Sequence, residues 1–264
     1  MPSSPIPVAS LQVERLRVEI YATRKAMGRA AAQVVAQRMR ALLAEQPRVR
    51  MVFAAAPSQN EFLAALCATP GLDWQRVEAF HMDEYVGLPA DAPQGFGNFL
   101  RARLFDKVHL GCVAFIDGNA PDPLAECARY TALLNERPID IVCAGIGENG
   151  HMAFNDPHVA NFEDEVTVKL VTLDEVCRQQ QVHDGAFPSI DQVPTTALTM
   201  TMPALMAATW LYCIVPGPTK AEAVRRTLEE PISTACPASI LRRHERAILY
   251  LDQEAAAHLH SPPW

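Results

Sequence analysis

The stretch PLAECARYTALLNERPIDIVCAGIGENGHMAFNDP, residues 123–157, changes character twice. Residues 123–136 read as a helix. Residues 139–145 form a continuous apolar run, the mark of a strand buried on both faces. The chain then leaves that strand through Gly145, Gly147 and Gly150 and presents His151 and Asp156 five positions apart. Two readings stand at this point. Either the polar residues of a strand-to-loop turn face water, or the backbone comes close to a ligand and the two side chains share a task.

The same alternation extends outward. LRVEIY (16–21) reads as a strand, Thr23 as a cap, and the segment to Gln46 as a helix with apolar residues at helical spacing. VRMVFAAA (49–56), RVEAFH (76–81) and CVAFI (112–116) read as strands. SQNEFLAALC (58–67) and GNFLRARLF (97–105) read as helices between them. VTVKLV (166–171), ALTMTM (197–202), TWLYCIVPG (209–217) and RAILYL (246–251) continue the strand series, with a helix over about 219–228. Apolar strands separated by helices predict a doubly wound α/β fold: a mostly parallel, Rossmann-like sheet with helices on both faces. Sites in such sheets lie beyond the carboxyl ends of the strands. One domain is expected over 16–264, preceded by a flexible extension over 1–15. The polar span 158–192 is expected to act as a lid.

Composition narrows the function. The chain has 264 residues, 49% hydrophobic and 20% charged, with a formal charge of −7. That balance argues against a nucleic-acid partner, and no apolar run reaches the ~20 residues that span a bilayer. The start lacks the pattern of a secretory signal. Seven scattered cysteines, none in C-x-x-C spacing, fit reduced thiols in a cytoplasmic protein. His258 and His260 have no acidic or cysteine partner nearby in sequence, and a frayed C-terminus accounts for them without a metal.

Four strand ends carry candidate chemistry. Asp83 and Glu84 follow the strand at 76–81; alone they read as solvated turn acids. His151 follows the strand at 139–145; alone it reads as a core histidine bonded to a carbonyl. Ser58, Gln59 and Asn60 stand at a helix start, where free N–H groups favour an anion, although a plain serine cap is the commoner arrangement. Lys220 stands in a first helical turn, where the dipole disfavours a cation unless an anion is bound. Together they suit proton transfer on a phosphorylated small molecule. No Walker lysine or G-x-S-x-G motif supports P-loop nucleotide binding or serine hydrolysis.

MDEYVGLP (82–89), GIGENGHMAFNDP (145–157), QVPTTALT (192–199) and the VPGPTKA block (215–221) resemble, in this order and spacing, the glucosamine-6-phosphate deaminases. The resemblance spans about residues 16–252. The sister family of 6-phosphogluconolactonases shares the fold, but Tyr85 and AFNDP side with the deaminases. The resemblance implies conversion of glucosamine 6-phosphate and water to fructose 6-phosphate and ammonia, with no metal or organic cofactor. A small-molecule sugar phosphate is the implied partner, and a homo-oligomer is left open. By resemblance, Asp83 is the base that moves a proton between C2 and C1, and His151 opens the ring, oriented by Asn149 and Asp156. Lys220 holds the phosphate, with Ser58, Gln59, Asn60, Glu84, Gly147 and Gly150 as further substrate contacts.

Several positions depart from the family. Asp156 stands where the deaminases have glutamate, Asn149 where many have aspartate, and AAPSQN (55–60) where they have a threonine- and glycine-rich loop. The lid arginine has no direct counterpart; His183 lies nearest, with Arg178 a helical turn earlier. The alternatives are a lactonase, an isomerase of another sugar phosphate, or a non-catalytic sugar-phosphate sensor. A sensor of this kind is expected to carry a helix-turn-helix, and the stretch before Leu16 is too short for one.

Overall fold

The computed structural model describes residues 5–260. Its strands are β1 (Ala9–Val13), β2 (Leu16–Tyr21), β3 (Val49–Phe53), β4 (Val77–His81), β5 (Asp83–Tyr85), β6 (Cys112–Ala114), β7 (Ile141–Ala144), β8 (Val168–Thr172), β9 (Thr196–Met200), β10 (Trp210–Val215) and β11 (Ala247–Asp252). The helices are α1 (Arg24–Glu45), α2 (Asn60–Cys67), α3 (Phe96–Leu100, continued by a π-helical turn to Phe105), α4 (Pro123–Asn135), α5 (Glu175–His183), α6 (Met202–Met206) and α7 (Ala221–Glu229). Threonine and aspartate side chains open α1, α4, α5 and α6 by accepting backbone N–H groups, at Thr23, Asp122, Asp174 and Thr201.

Eight strands form the main sheet in the order β1-β2-β11-β10-β7-β3-β4-β6. Every pairing in it is parallel except β1 with β2. Alternation along each strand divides the core between the two faces. Met51 and Phe53 of β3 pack with α1, α2 and α3, through residues such as Met27, Met39, Phe62 and Leu100. Val52, between them, packs on the other face with Tyr130 of α4, Leu205 of α6 and Val224 of α7. At 25 cal/mol per Å² these two apolar layers supply the main driving force for folding.

The sheet order also fixes where a ligand can lie. From β3 the chain runs outward through β4 to β6, then returns to lay β7 against the other side of β3 and continues to β10 and β11. The reversal leaves a crevice at the carboxyl ends of β3 and β7, where the connecting segments diverge.

Three features differ from the sequence expectation. Residues 9–13, expected within a flexible extension, form an antiparallel edge strand in register from Ala9↔Ile20 to Val13↔Leu16; residues 1–4 lie outside the described residues. The strands near 166–171 and 197–202 do not join the main sheet. With β5 they form a separate antiparallel sheet, β5-β9-β8. The span expected as a lid is therefore divided: β8 belongs to that sheet, and α5 borders the crevice. The C-terminal histidines are not frayed, since His258 approaches Glu222 and His260 pairs with Glu229, both on α7.

Candidate active site

A cleft open to solvent lies at the crevice. Four strand ends supply it: residues 54–59 after β3, Met82 and Asp83 after β4, 145–154 after β7, and Lys220 beyond β10.

Asp83 is held by its backbone. The chain turns from β4 into β5 across His81, whose Nδ1 bonds the Asp83 carbonyl at 2.8 Å while its Nε2 accepts from the Ile116 N–H at 2.9 Å. Those partners require a neutral ring with the proton on Nδ1, and burial pushes the His81 pKa down to about 4, in agreement. The Asp83 carboxylate is 6% exposed, faces the cleft, and receives no hydrogen bond from the described residues. Burial, followed by the neighbouring Glu84, raises its pKa well above the usual carboxylate range. A desolvated carboxylate of this kind is a stronger proton acceptor than one in water.

His151 is set by close packing. A Cβ at Gly147 would fall 2.1 Å from the His151 ring, so only glycine fits there. At Gly150, φ is 88°, and a Cβ would also meet the Cys236 sulfur at 2.6 Å. Ala153 adopts φ 49°, a left-handed conformation that costs an alanine roughly 1–2 kcal/mol. Hydrogen bonds from Phe154 N to Thr199 Oγ1 (3.1 Å) and from Asn155 Nδ2 to the Met200 carbonyl (2.8 Å) hold the turn in spite of that cost.

Behind the ring, His151 Nδ1 lies 2.7 Å from Asn149 Oδ1 and 3.1 Å from Asp156 Oδ1. Both are acceptors, so Nδ1 carries a proton, and no hydrogen bond among the described residues engages Nε2. Asp156 is fully enclosed. Its Oδ1 also accepts from Asn149 Nδ2 at 3.0 Å, and its Oδ2 from the Asp174 N–H at 3.2 Å. The shorter arm of aspartate thus reaches the imidazole directly. His151, Asp156 and Cys177 also place donor atoms within 4.8 Å of one another, but the histidine and aspartate atoms are already spent on each other and on Asn149.

Burial raises the Asp156 pKa, yet hydrogen bonding and charge from His151, then the Asn149 amide, outweigh it and bring the carboxyl down to about 2. A depressed folded pKa contributes stability above the unfolded value of ~3.9 that is lost as pH falls through the folded value. The parent is expected to lose roughly 2 kcal/mol between about pH 4 and pH 2. The Asp156→Asn variant should lack this particular acid loss, which urea unfolding at stepped pH would measure; identical acid profiles would refute it.

Lys220 and Ser58 also line the cleft. Lys220 is 4% exposed, and its ammonium has no hydrogen-bond partner among the described residues. Burial lowers its pKa, with Asp184 and Glu148 opposing the shift. Gln59 is buried with its Nε2 on the Ile214 carbonyl (3.0 Å) and Ser58 Oγ (3.1 Å).

Five expected contacts turn away from the cleft. Glu84 accepts from the N–H groups of Tyr85, Phe96 and Gly97 at 2.8–3.0 Å and so anchors the start of α3. Asn60 accepts from Arg103 Nε at 3.0 Å. Arg178 holds the carbonyls of Ile190 and Val193. His183 is half-exposed and pairs with Glu148 at 3.2 Å. Gly150 shapes the turn without lining the cleft. Asn149 and Asp156 stand behind His151 and do not line it either. In place of a basic lid residue, α5 contributes Gln180 and Gln181, which the sequence reading missed. Gln180 Oε1 accepts from the Glu148 N–H at 2.7 Å; Gln181 has no side-chain partner among the described residues. A search for charge passes over neutral amides, although their place on one helical turn was available as a signal.

Comparison with known proteins identifies the family. Residues 22–250 match the family of glucosamine-6-phosphate isomerases and 6-phosphogluconolactonases. A glucosamine-6-phosphate deaminase of Listeria innocua is 36% identical over 200 residues, covering 76% of this chain and 83% of the relative. One from Lactobacillus delbrueckii subsp. bulgaricus is 35% identical over 186 residues, covering 70% and 77%. The solved structure of a monomeric glucosamine-6-phosphate deaminase superposes with a TM-score of 0.82 at 33% identity, covering 91% of this chain and 98% of that one. The 6-phosphogluconolactonase of Thermotoga maritima shares the fold, with a TM-score of 0.71 at 18% identity over 90% and 98%. The chain belongs to the glucosamine-6-phosphate isomerase/6-phosphogluconolactonase family.

Proposed function

We propose that this chain converts glucosamine 6-phosphate and water to fructose 6-phosphate and ammonia. The observation that carries the reading is the meeting, in one cleft, of an unpaired buried carboxylate, an imidazole with its Nε2 unengaged, and an unpaired buried ammonium. His151 moves a proton from the C1 hydroxyl to the ring oxygen, opening the sugar to its aldehyde. Asp83 takes the proton from C2 while the substrate's ammonium passes one to the C1 oxygen, and an enolamine forms between C1 and C2. The same carboxyl returns the proton to C1, leaving an imine at C2 that water hydrolyses to the ketone and ammonia. Lys220 and Ser58 hold the phosphate, and α5 serves as the lid over the cleft.

No helix among the described residues is long and apolar enough to cross a membrane. Seven free thiols, five of them buried, fit a reducing compartment, and we assign the protein to the cytoplasm. The monomeric state of one structural relative gives no support to a homo-oligomer.

Release of ammonia together with fructose 6-phosphate, across a panel of hexosamine 6-phosphates, tests the reading. Hydrolysis of 6-phosphogluconolactone with no ammonia from any amino sugar would overturn it. Lys220→Ala is expected to raise KM by about 10- to 100-fold, the equivalent of a charge-assisted hydrogen bond of ~1.5–3 kcal/mol. Equal turnover of glucosamine and its 6-phosphate by the parent would show that the lysine does not serve a phosphate.

A further inference from the structure

Asp174 does not line the cleft, yet three of its atoms tie the cleft's histidine to α5. We propose that Asp174 is a positioning residue for His151: acting through Asn149, it selects the imidazole tautomer and couples the ring to the helix that carries Gln180 and Gln181.

The argument rests on the Asn149 amide. Its Oδ1 accepts from both the His151 backbone N–H (3.0 Å) and Nδ1 (2.7 Å). Its Nδ2 donates to Asp156 Oδ1 (3.0 Å) and to Asp174 Oδ2 (3.1 Å). Both protons of the amide nitrogen are therefore spent on carboxylates. The reverse orientation would aim the amide oxygen at two carboxylate oxygens and the NH2 at a backbone N–H, so the two acids fix which way the amide faces. With Oδ1 held against the ring, the neutral imidazole keeps its proton on Nδ1, leaving the Nε2 lone pair for the cleft. Asp156 alone satisfies one amide proton. Asp174 takes the second and completes the lock.

The same residue caps α5. Asp174 Oδ1 accepts from the Cys177 N–H at 2.6 Å, and its own N–H donates to Asp156 Oδ2 at 3.2 Å. At the far end of the helix, Gln180 accepts from the Glu148 N–H. With the His183–Glu148 pair, the helix and the loop 148–151 are thus joined at three points, and movement of α5 is transmitted to the ring. The other ionisable groups around Asp174 are His158, whose Nδ1 is 4.0 Å from Oδ2 while its Nε2 bonds the Thr172 carbonyl, and the buried Cys177 thiol. The arrangement also requires an amide at 149, since an aspartate there would set a third carboxylate about 3 Å from the other two.

Asp174→Ser separates the two roles. A serine hydroxyl keeps the cap on α5, but its arm is too short to reach Asn149. The expected result is an unfolding temperature close to the parent's. In ¹⁵N–¹H NMR, the His151 signal, identified by its absence from His151→Gln, should change from the Nδ1-protonated tautomer to a mixture of both. Activity rests on the proposed function; given that, kcat should fall by about 10-fold with KM nearly unchanged, in line with the loss of an orienting partner. Asp174→Asn, with one carbonyl oxygen for two donors, should show a smaller shift in the same direction, and it decides the matter should the serine variant unfold. A parent inactive on every amino-sugar phosphate, with the tautomer still shifting in the variants, would overturn the proposed reaction and leave the positioning role standing. A single Nδ1-protonated tautomer in both variants would overturn the positioning role.

Discussion

Asp83→Asn is expected to lower kcat by about three orders of magnitude while the substrate dissociation constant changes little, since a placed general base contributes ~10²- to 10⁴-fold. The amide matches the carboxylate in shape and leaves the His81 bridge to the backbone intact, so the cleft keeps its form. What it lacks is a lone pair basic enough to take a proton from carbon. The same substitution has an opposite effect on stability. Burial and then Glu84 raise the folded pKa of Asp83, so the unfolded carboxyl ionises first, near pH ~3.9. Stability therefore falls as pH rises between the unfolded and folded values. Asp83→Asn should unfold at a higher temperature than the parent at neutral pH, with the gap closing below about pH 4. Near-normal turnover by the variant would remove Asp83 from the reaction, and a lower unfolding temperature at neutral pH would mean that the carboxylate is paired rather than stranded.

That pair of effects shows how far the residues alone could be followed. β3, β7 and β10 are legible because they are buried on both faces and their neighbours alternate with helices. The site's place follows from that order. β5 was not legible as a strand: three residues, DEY, carry no period, and their partner β9 lies more than a hundred residues away. β1 alternates, with burial Beiei, but the prolines and serines just before it make the segment read as an extension. Once β5 is known, the different fates of its acids follow from geometry. Adjacent strand residues point to opposite faces, so Asp83 enters the cleft and Glu84 must find partners on the other side, at the start of α3. In α5 the limit is chemical. His183 lies nearest the lid position in sequence, with Arg178 a helical turn earlier, but the helix turns Arg178 toward the 190–193 carbonyls and brings Gln180 and Gln181 to the cleft. Which face of a helix meets a ligand is decided by the packing of its apolar residues, here Cys177, and the sequence showed that contact only in outline.

His151→Gln is the second large loss, and its value lies in being selective. The ring oxygen must gain a proton and the C1 hydroxyl lose one before any carbon chemistry begins, and an imidazole with an unengaged Nε2 can do both. Glutamine fills a similar space, and its amide can hydrogen bond toward Asn149 and Asp156, but it exchanges no proton near neutral pH. For the cyclic sugar phosphate, kcat/KM is expected to fall by about 10²- to 10⁴-fold, the usual contribution of a placed acid–base group. An open-chain substrate that enters after ring opening still meets Asp83 and Lys220, so its turnover should fall by far less. The ratio of the two losses is the decisive quantity, because a general distortion of the cleft would reduce both together. Enclosure of Asp156, with no exposed surface and both oxygens bonded, gives the histidine a fixed orientation. If cyclic and open-chain substrates lose equally in His151→Gln, the imidazole acts on the carbon chemistry or on binding, and the ring-opening role assigned to it is wrong.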